Sequence, residues 1–198
     1  MNKLKTAIAV GIAALLSLSL VAPVSAARVY NADTNSWEEA STVIARGKAK
    51  GSPIKREVVD YATNLKPGTI VVETSERRAY FVLEGGKAVK YGIGVGRDGF
   101  RWSGQHRITR KAEWPGWTPP AQMRKRVPDL PAYMPGGPAN PLGARALYIG
   151  STLYRLHGTS EPWTIGQAVS SGCIRFTNED ITDLYDRVSV GATVVVRQ

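Results

Sequence analysis

Residues 113–144 carry eight of the chain's twelve prolines, with several glycines among them. Proline fixes φ and has no N–H to donate, so this stretch is expected to be neither a helix nor a central strand. A loop of about 30 residues is expected here, and loops that long inside a compact domain usually serve as lids or binding walls. Trp114 and Trp117 near its start make the loop a stiff, partly apolar surface. It reads either as one wall of a substrate cleft, with Trp117 a candidate contact, or as a rigid ornament packed on a sheet.

The flanking segments read as strands. Residues 69–72 are β-rich, a turn around Ser75-Glu76-Arg77 precedes an apolar run at 79–83, and Gly85-Gly86 is a two-residue hairpin signal before 88–91. Glycines at 92, 94, 96 and 99 could suggest a phosphate-cradling loop, but no G-x-G-x-x-G fingerprint opens a helix here, so they mark a strand that meets other backbone closely and then turns. Beyond the proline-rich segment come short strands at 146–149 and 153–156, the second delivering His157 at its end. Thr177 or Asn178 can cap a helix whose apolar face is Ile181, Leu184, Tyr185 and Val188. Gly191 ends that helix, and residues 192–196 read as a closing strand. The expectation is a mainly β domain with one confident helix. Residues 27–66 are polar and broken by Gly47, Gly51 and Pro53, and read as an N-terminal extension or packing arm.

Residues 1–26 read as a signal peptide: Lys3 and Lys5 lead, an apolar run covers 7–22, and Val24-Ser25-Ala26 offers small residues for cleavage before Ala27. That run is shorter than the roughly 20 residues a membrane-spanning helix needs. With no cysteine at the cleavage site, a lipid anchor is not expected, nor is a stable membrane span after cleavage. The expected destination is the periplasm or cell wall. Without the two leader lysines the formal charge falls from +10 to +8. A positive excess speaks to partners and not to fold. Export and the lack of a recognisable motif argue against nucleic acid and leave anionic lipid or a carboxylate-bearing wall polymer. The cluster Arg124-Lys125-Arg126 needs no role beyond a solvated loop.

Cys173 is the chain's single cysteine, and it lies sixteen positions after His157. An unpaired thiol in an exported protein is a liability unless its chemistry is used. Thiol plus imidazole is the minimum equipment for covalent acyl transfer, with Cys173 as nucleophile and His157 as general base and later acid. The rival reading is a small hydrophobe in a core. Backbone N–H groups of Gly172 and Cys173 are natural donors to an oxyanion. Arg175 could grip a substrate carboxylate, or form a structural ion pair with Asp180 or Asp183. Two histidines and one cysteine show no zinc-ligand spacing, so no metal is expected, and thiol acyl transfer requires no organic cofactor.

The run Asn140-Pro141-Leu142-Gly143, His157-Gly158-Thr159, Ile165-Gly166, Ser170-Ser171-Gly172-Cys173-Ile174-Arg175, then Asn178, Asp180 and Asp183-Leu184-Tyr185 resembles the L,D-transpeptidase family of bacterial cell-wall enzymes, the YkuD-like catalytic domain. Trp117-Thr118-Pro119-Pro120 adds to the likeness, which leads us to assign residues 67–198 to that domain. The resemblance implies a β-sandwich-like fold with mixed sheets and one short helix after the cysteine. It implies that a carbonyl just after the histidine, here that of Gly158, orients the imidazole. It further implies a tetrapeptide stem of peptidoglycan as acyl donor, loss of its terminal D-alanine, a 3→3 cross-link to another stem, and acylation of Cys173 by carbapenems. Many members carry a second histidine where this chain has Ser171, which cannot act as a base; Ser171 and Trp117 are taken as substrate contacts. Around Ser103-Gly104-Gln105-His106 the chain departs from the family's turn, which leaves the local loop shape and His106 open. Water could replace the amine acceptor, giving a carboxypeptidase, or a wall-linked protein could be attached or released. A sortase-like enzyme is disfavoured by the close His–Cys spacing. The remaining alternative is an exported domain that only binds peptidoglycan.

Overall fold

The structure is a computed structural model and describes residues 28–31, 36–98, 100 and 102–198. The expected signal peptide and Gly99 lie outside the described residues. A hairpin of β1 (Arg28–Asn31) and β2 (Ser36–Glu39) leads into α1 (Ala40–Lys50) and then β3 (Glu57–Asp60). A meander follows, β4 (Ile70–Glu73), β5 (Arg78–Val82) and β6 (Lys87–Gly92), with Gly85 and Gly86 at positive φ between the last two. Then come β7 (Val95–Gly96), β8 (Gly104–Glu113) and α2 (Ala121–Arg126). The C-terminal part holds β9 (Arg145–Ile149), β10 (Arg155–His157), β11 (Ala168–Ser170), β12 (Ile174–Arg175), α3 (Asn178–Arg187) and β13 (Thr193–Arg197).

Nine strands form one mixed sheet in the order β12-β10-β9-β8-β13-β4-β5-β6-β3. The pairs β13–β4 and β10–β12 are parallel and the rest antiparallel. The domain is mainly β, as expected. β13, last in sequence, occupies the middle of the sheet. Val194 and Val196 on one face of it are buried with Ile70 and Val72 of β4, as the two-residue period of a pleated strand requires. α3 lies against this layer through Ile181, Leu184 and Val188, all buried. Thr177 caps it by accepting the Asp180 N–H at 3.0 Å, and Lys111 closes the other end by donating to the carbonyls of Tyr185 and Val188, both at 2.6 Å. No helix among the described residues is long and apolar enough to cross a membrane.

Three features depart from the sequence reading. Residues 27–66 contain α1, which runs through Gly47, and β3, which joins the main sheet as the partner of β6. Four residues with charged ends give little propensity signal, and β3 is a strand because β6 offers it a ladder. β8 is a ten-residue strand of largely polar side chains, unreadable as a strand because only Ile108 is buried; β13 and β9 pair with it from both sides. The proline-rich segment does hold a helix, α2, in the proline-free interval between Pro120 and Pro128. Pro120 stands at its N-cap position, where the missing N–H costs nothing.

That segment also folds on itself. Trp117 and Met134 exchange two backbone hydrogen bonds at 2.8 and 2.7 Å, and their side chains join Leu130 and Leu142 in a separate small core with Trp37 from β2 against it. Buried Asn140 staples this loop, donating to the carbonyls of Met134 and Pro135 and accepting the N–H of Leu142 at 2.9 Å.

Candidate active site

β10 and β12 run parallel with Leu156 opposite Ile174 and His157 opposite Arg175. Cys173, the residue just before β12, is therefore level with Arg155, one residue-pair below His157. Alternation along the strands turns Arg155, His157, Cys173 and Arg175 toward the same side. The two residues singled out as nucleophile and base are thus brought together by strand pairing.

His157 is only 5 % exposed, and its Nδ1 stands 2.5 Å from the carbonyl oxygen of Gly158. A carbonyl only accepts, so Nδ1 carries the proton and Nε2 is left as a free acceptor. Gly158 has no room for a side chain: a Cβ there would stand 3.1 Å from both the Ala144 nitrogen and Ile181 Cγ2. Burial, then the charges of Arg175 and Arg155, push the imidazole pKa down to about 3 against the pull of the Gly158 carbonyl. Burial likewise pushes the Cys173 thiol up, an effect opposed by Arg155 through its charge, its backbone and its side chain, and by the charge of Arg175. Both groups are neutral at rest near pH 7. The arrangement suits proton transfer during attack and not a stored thiolate–imidazolium pair.

This has a consequence for stability. His157 has a folded pKa of about 3 against the ordinary 6.5, so between these values the unfolded chain binds the proton and the folded protein does not. Stability is complete above pH 6.5 and falls as pH drops toward 3. Denaturant unfolding at pH 7 and pH 4.5 should show wild type losing about 2 kcal/mol more than His157→Gln.

The turn that carries the thiol is held from three sides. Ser170 Oγ donates to the Cys173 carbonyl at 2.6 Å and accepts the Gly172 N–H at 3.2 Å. The Gly172 amide, one of the two expected oxyanion donors, is therefore engaged within the turn. Trp102 Nε1 donates to the Gly172 carbonyl at 2.6 Å, and the Trp102 ring stacks on Tyr154 with centroids 4.5 Å apart. Gly172 has φ of 104°, and a Cβ there would lie 2.6 Å from Tyr154 Cε1. Strand β7 passes behind: Gly94 bridges to Arg175, and Gly96 packs against Gly172. His106 belongs to β8, with its ring edge-on to Trp102 at 5.2 Å, one contact away from the turn.

Arg175 is 6 % exposed and pairs with buried Glu161 at 3.6 Å. Its acidic partner is Glu161 and neither Asp180 nor Asp183, which instead meet Arg56 from the N-terminal extension at 3.5 and 3.6 Å. Trp117 is buried in the small core of the proline-rich loop, whereas Ser171 is half-buried beside the thiol turn. Sequence reasoning passed over Trp102, Tyr154, Arg155, Glu161 and the bridging role of Ser170. Only Ser170 carried a signal, as part of the Ser-x-Gly-Cys run.

Comparison with known proteins adds to this geometry. Residues 67–196 match the sequence model of the YkuD family, described as the L,D-transpeptidase catalytic domain. A probable L,D-transpeptidase, ErfK/SrfK, of Escherichia coli K12 is 43% identical over 135 residues, covering 64% of this chain and 43% of that protein. The chain thus spans less than half the length of such curated relatives. Among solved structures, L,D-transpeptidase 3 of Mycobacterium tuberculosis superposes with a TM-score of 0.52 at 18% identity, covering 66% of this chain and 60% of that one. A Brucella melitensis protein described as a probable carnitine operon oxidoreductase superposes with a TM-score of 0.51 at 42% identity, covering 77% of this chain and 99% of that one.

Proposed function

The chain belongs to the YkuD family of L,D-transpeptidase catalytic domains, and from that premise we propose that it is a cysteine acyltransferase acting on peptidoglycan stems. The observation that carries the reading is the adjacency of His157 and Cys173 on parallel neighbours, with Nδ1 committed to Gly158 and Nε2 left free.

In this mechanism Nε2 of His157 takes the Cys173 proton as Sγ bonds to the carbonyl carbon of the donor's third residue. The oxyanion so formed faces the Cys173 end of the turn, where the backbone N–H of Cys173 is the donor we assign to it. Collapse breaks the C–N bond, and the imidazolium returns its proton to the departing D-alanine amine. The stem remains as a thioester on Sγ. An acceptor amine, losing its proton to His157, then attacks the thioester, the C–S bond breaks, and the thiol recovers that proton. When the amine belongs to another stem, the product is a 3→3 cross-link. Water in its place gives a carboxypeptidase, and a protein amine gives attachment to the wall. Arg175, buried against Glu161, acts in this scheme by adding its charge to the burial that keeps the imidazole neutral at rest. By the same step, attack of Cys173 Sγ on the strained β-lactam carbonyl of a carbapenem would break its ring C–N bond and acylate the protein there. Such an enzyme works outside the cytoplasm, at the periplasmic face of the wall.

The test is mass spectrometry of the protein after incubation with purified disaccharide-tetrapeptide. Cross-linked dimers, with a transient adduct on Cys173, are the expected result. Tripeptide without dimers assigns water as the acceptor. Absence of both products and adduct overturns the donor assignment in favour of a domain that only binds the wall.

A further inference from the structure

A row of side chains leads across three strands to the thiol. Arg110 on β8 is paired with Tyr148 on β9, and Tyr148 with Arg155 on β10. Directly opposed residues project from the same face of a sheet, so all three stand in line, and Cys173 comes next. A bulge in β8 between Ile108 and Arg110 shifts the register by one residue and brings Arg110 opposite Tyr148. The Arg110 guanidinium carbon lies 3.5 Å from the centre of the Tyr148 ring, and that of Arg155 lies 5.6 Å from it.

Arg155 is also tied to the nucleophile. Its Nη2 donates to the Leu153 carbonyl at 3.2 Å, and Cys173 Sγ approaches that same oxygen at 3.8 Å. Nε of Arg155 is buried and has no hydrogen-bond partner among the described residues. Nor, among them, does a carboxylate lie within ion-pair distance of Arg110 or Arg155. Two cations resting on one ring repel each other, and a buried guanidinium N–H without an acceptor is costly. An anion beside the thiol would relieve both.

We propose that Arg110, Tyr148 and Arg155 form a carboxylate subsite next to Cys173, which reads the free terminal carboxylate of the residue expelled from the acyl donor. This deepens the acyl-transfer reading and rests on it for the identity of the ligand. In a donor that ends one residue beyond the scissile bond, only the amide nitrogen and one α-carbon separate that carboxylate from the carbon under attack. A guanidinium at the sulfur can reach it. In a donor one residue longer, a neutral amide occupies this place and leaves Arg155 unsatisfied. The subsite therefore favours stems that end immediately after the leaving residue.

Two probes of equal size test the subsite without any assumption about the reaction. Iodoacetate and iodoacetamide differ in carrying a carboxylate or a neutral amide, and the chain has one cysteine to alkylate. Relative to a free thiol at the same pH, the wild-type protein should favour iodoacetate by about 10- to 100-fold, the range of one charge-assisted hydrogen bond. Arg155→Gln should return the ratio to that of the free thiol, Arg155→Lys should keep part of it, and Arg110→Gln, at an exposed position, should lower it in a folded protein. A wild-type ratio equal to the free thiol, or one untouched by Arg155→Gln and Arg110→Gln, overturns the proposal. A second arm compares tetrapeptide donors ending in carboxylate or carboxamide. The carboxamide should raise KM in wild type and make no difference in Arg155→Gln; equal KM in wild type would overturn the assignment to the leaving residue. A carboxylate preference in alkylation with no turnover of either donor would uphold the subsite and sink the transpeptidase reading instead.

Discussion

Cys173→Ala should lower the release of D-alanine from a tetrapeptide stem by about 10⁴-fold or more, leaving only what substrate binding and the oxyanion donor contribute. No neighbouring group can substitute, because the chain has no other thiol and Ser171 and Ser170 lack a base of their own. His157→Asn should cost about 10³-fold, since burial leaves the thiol neutral and only the imidazole is placed to deprotonate it. The double variant should be little worse than Cys173→Ala alone, because the two residues act in one step. Product quantification by mass spectrometry, with denaturant melts to show that each variant is folded, checks all three values. A Cys173→Ala protein with turnover near wild type would sink the mechanism.

Gly143→Ala should destabilise the protein by about 3–5 kcal/mol and abolish activity with it. Gly143 has φ of 64°, a conformation that strains any residue with a Cβ. The added methyl would also stand 2.6 Å from the Gly158 carbonyl carbon and the Thr159 nitrogen, with Asn178 Oδ1 closer still. That amide oxygen is not free to move, since it accepts the Ala144 N–H at 2.9 Å. The methyl would therefore push on the very peptide whose oxygen orients His157. Chemical denaturation gives the stability loss. Gly137→Ala is the control: φ is 150° but the space is open, so a much smaller loss is expected there.

These expectations locate where the sequence was informative. Strong local patterns predicted the meander from β4 to β6, the strand ending at His157 and the closing strand β13 within one or two residues, and the start of helix α3, which ends at Arg187, short of Gly191. Its N-cap Thr177 and its i, i+3, i+4, i+7 apolar face are local signals, and no distant contact contradicts them. The glycines at 92, 94 and 96 likewise announced close backbone approach, which the Gly94–Arg175 bridge and the Gly96–Gly172 contact display. β3 and β8 gave no such signal, because their polar residues gain strand conformation only from neighbours far away in the chain. For α2, proline density masked a six-residue interval where the backbone is free to coil.

The candidate site divides along the same line. A lone thiol after glycine and a nearby imidazole at a strand end made His157, Gly172 and Cys173 chemically conspicuous, and the resemblance of the surrounding run to the YkuD-like domain marked them as a set. That β10 and β12 are parallel neighbours, that Glu161 meets Arg175, and that Arg110, Tyr148 and Arg155 align toward the thiol came only from tertiary structure. The reason is physical. Residue type states what a group can do, and short-range periodicity states which strand or helix carries it. Which groups share a face of the sheet depends on strand register, and the buried contacts of segments remote in sequence set that register together.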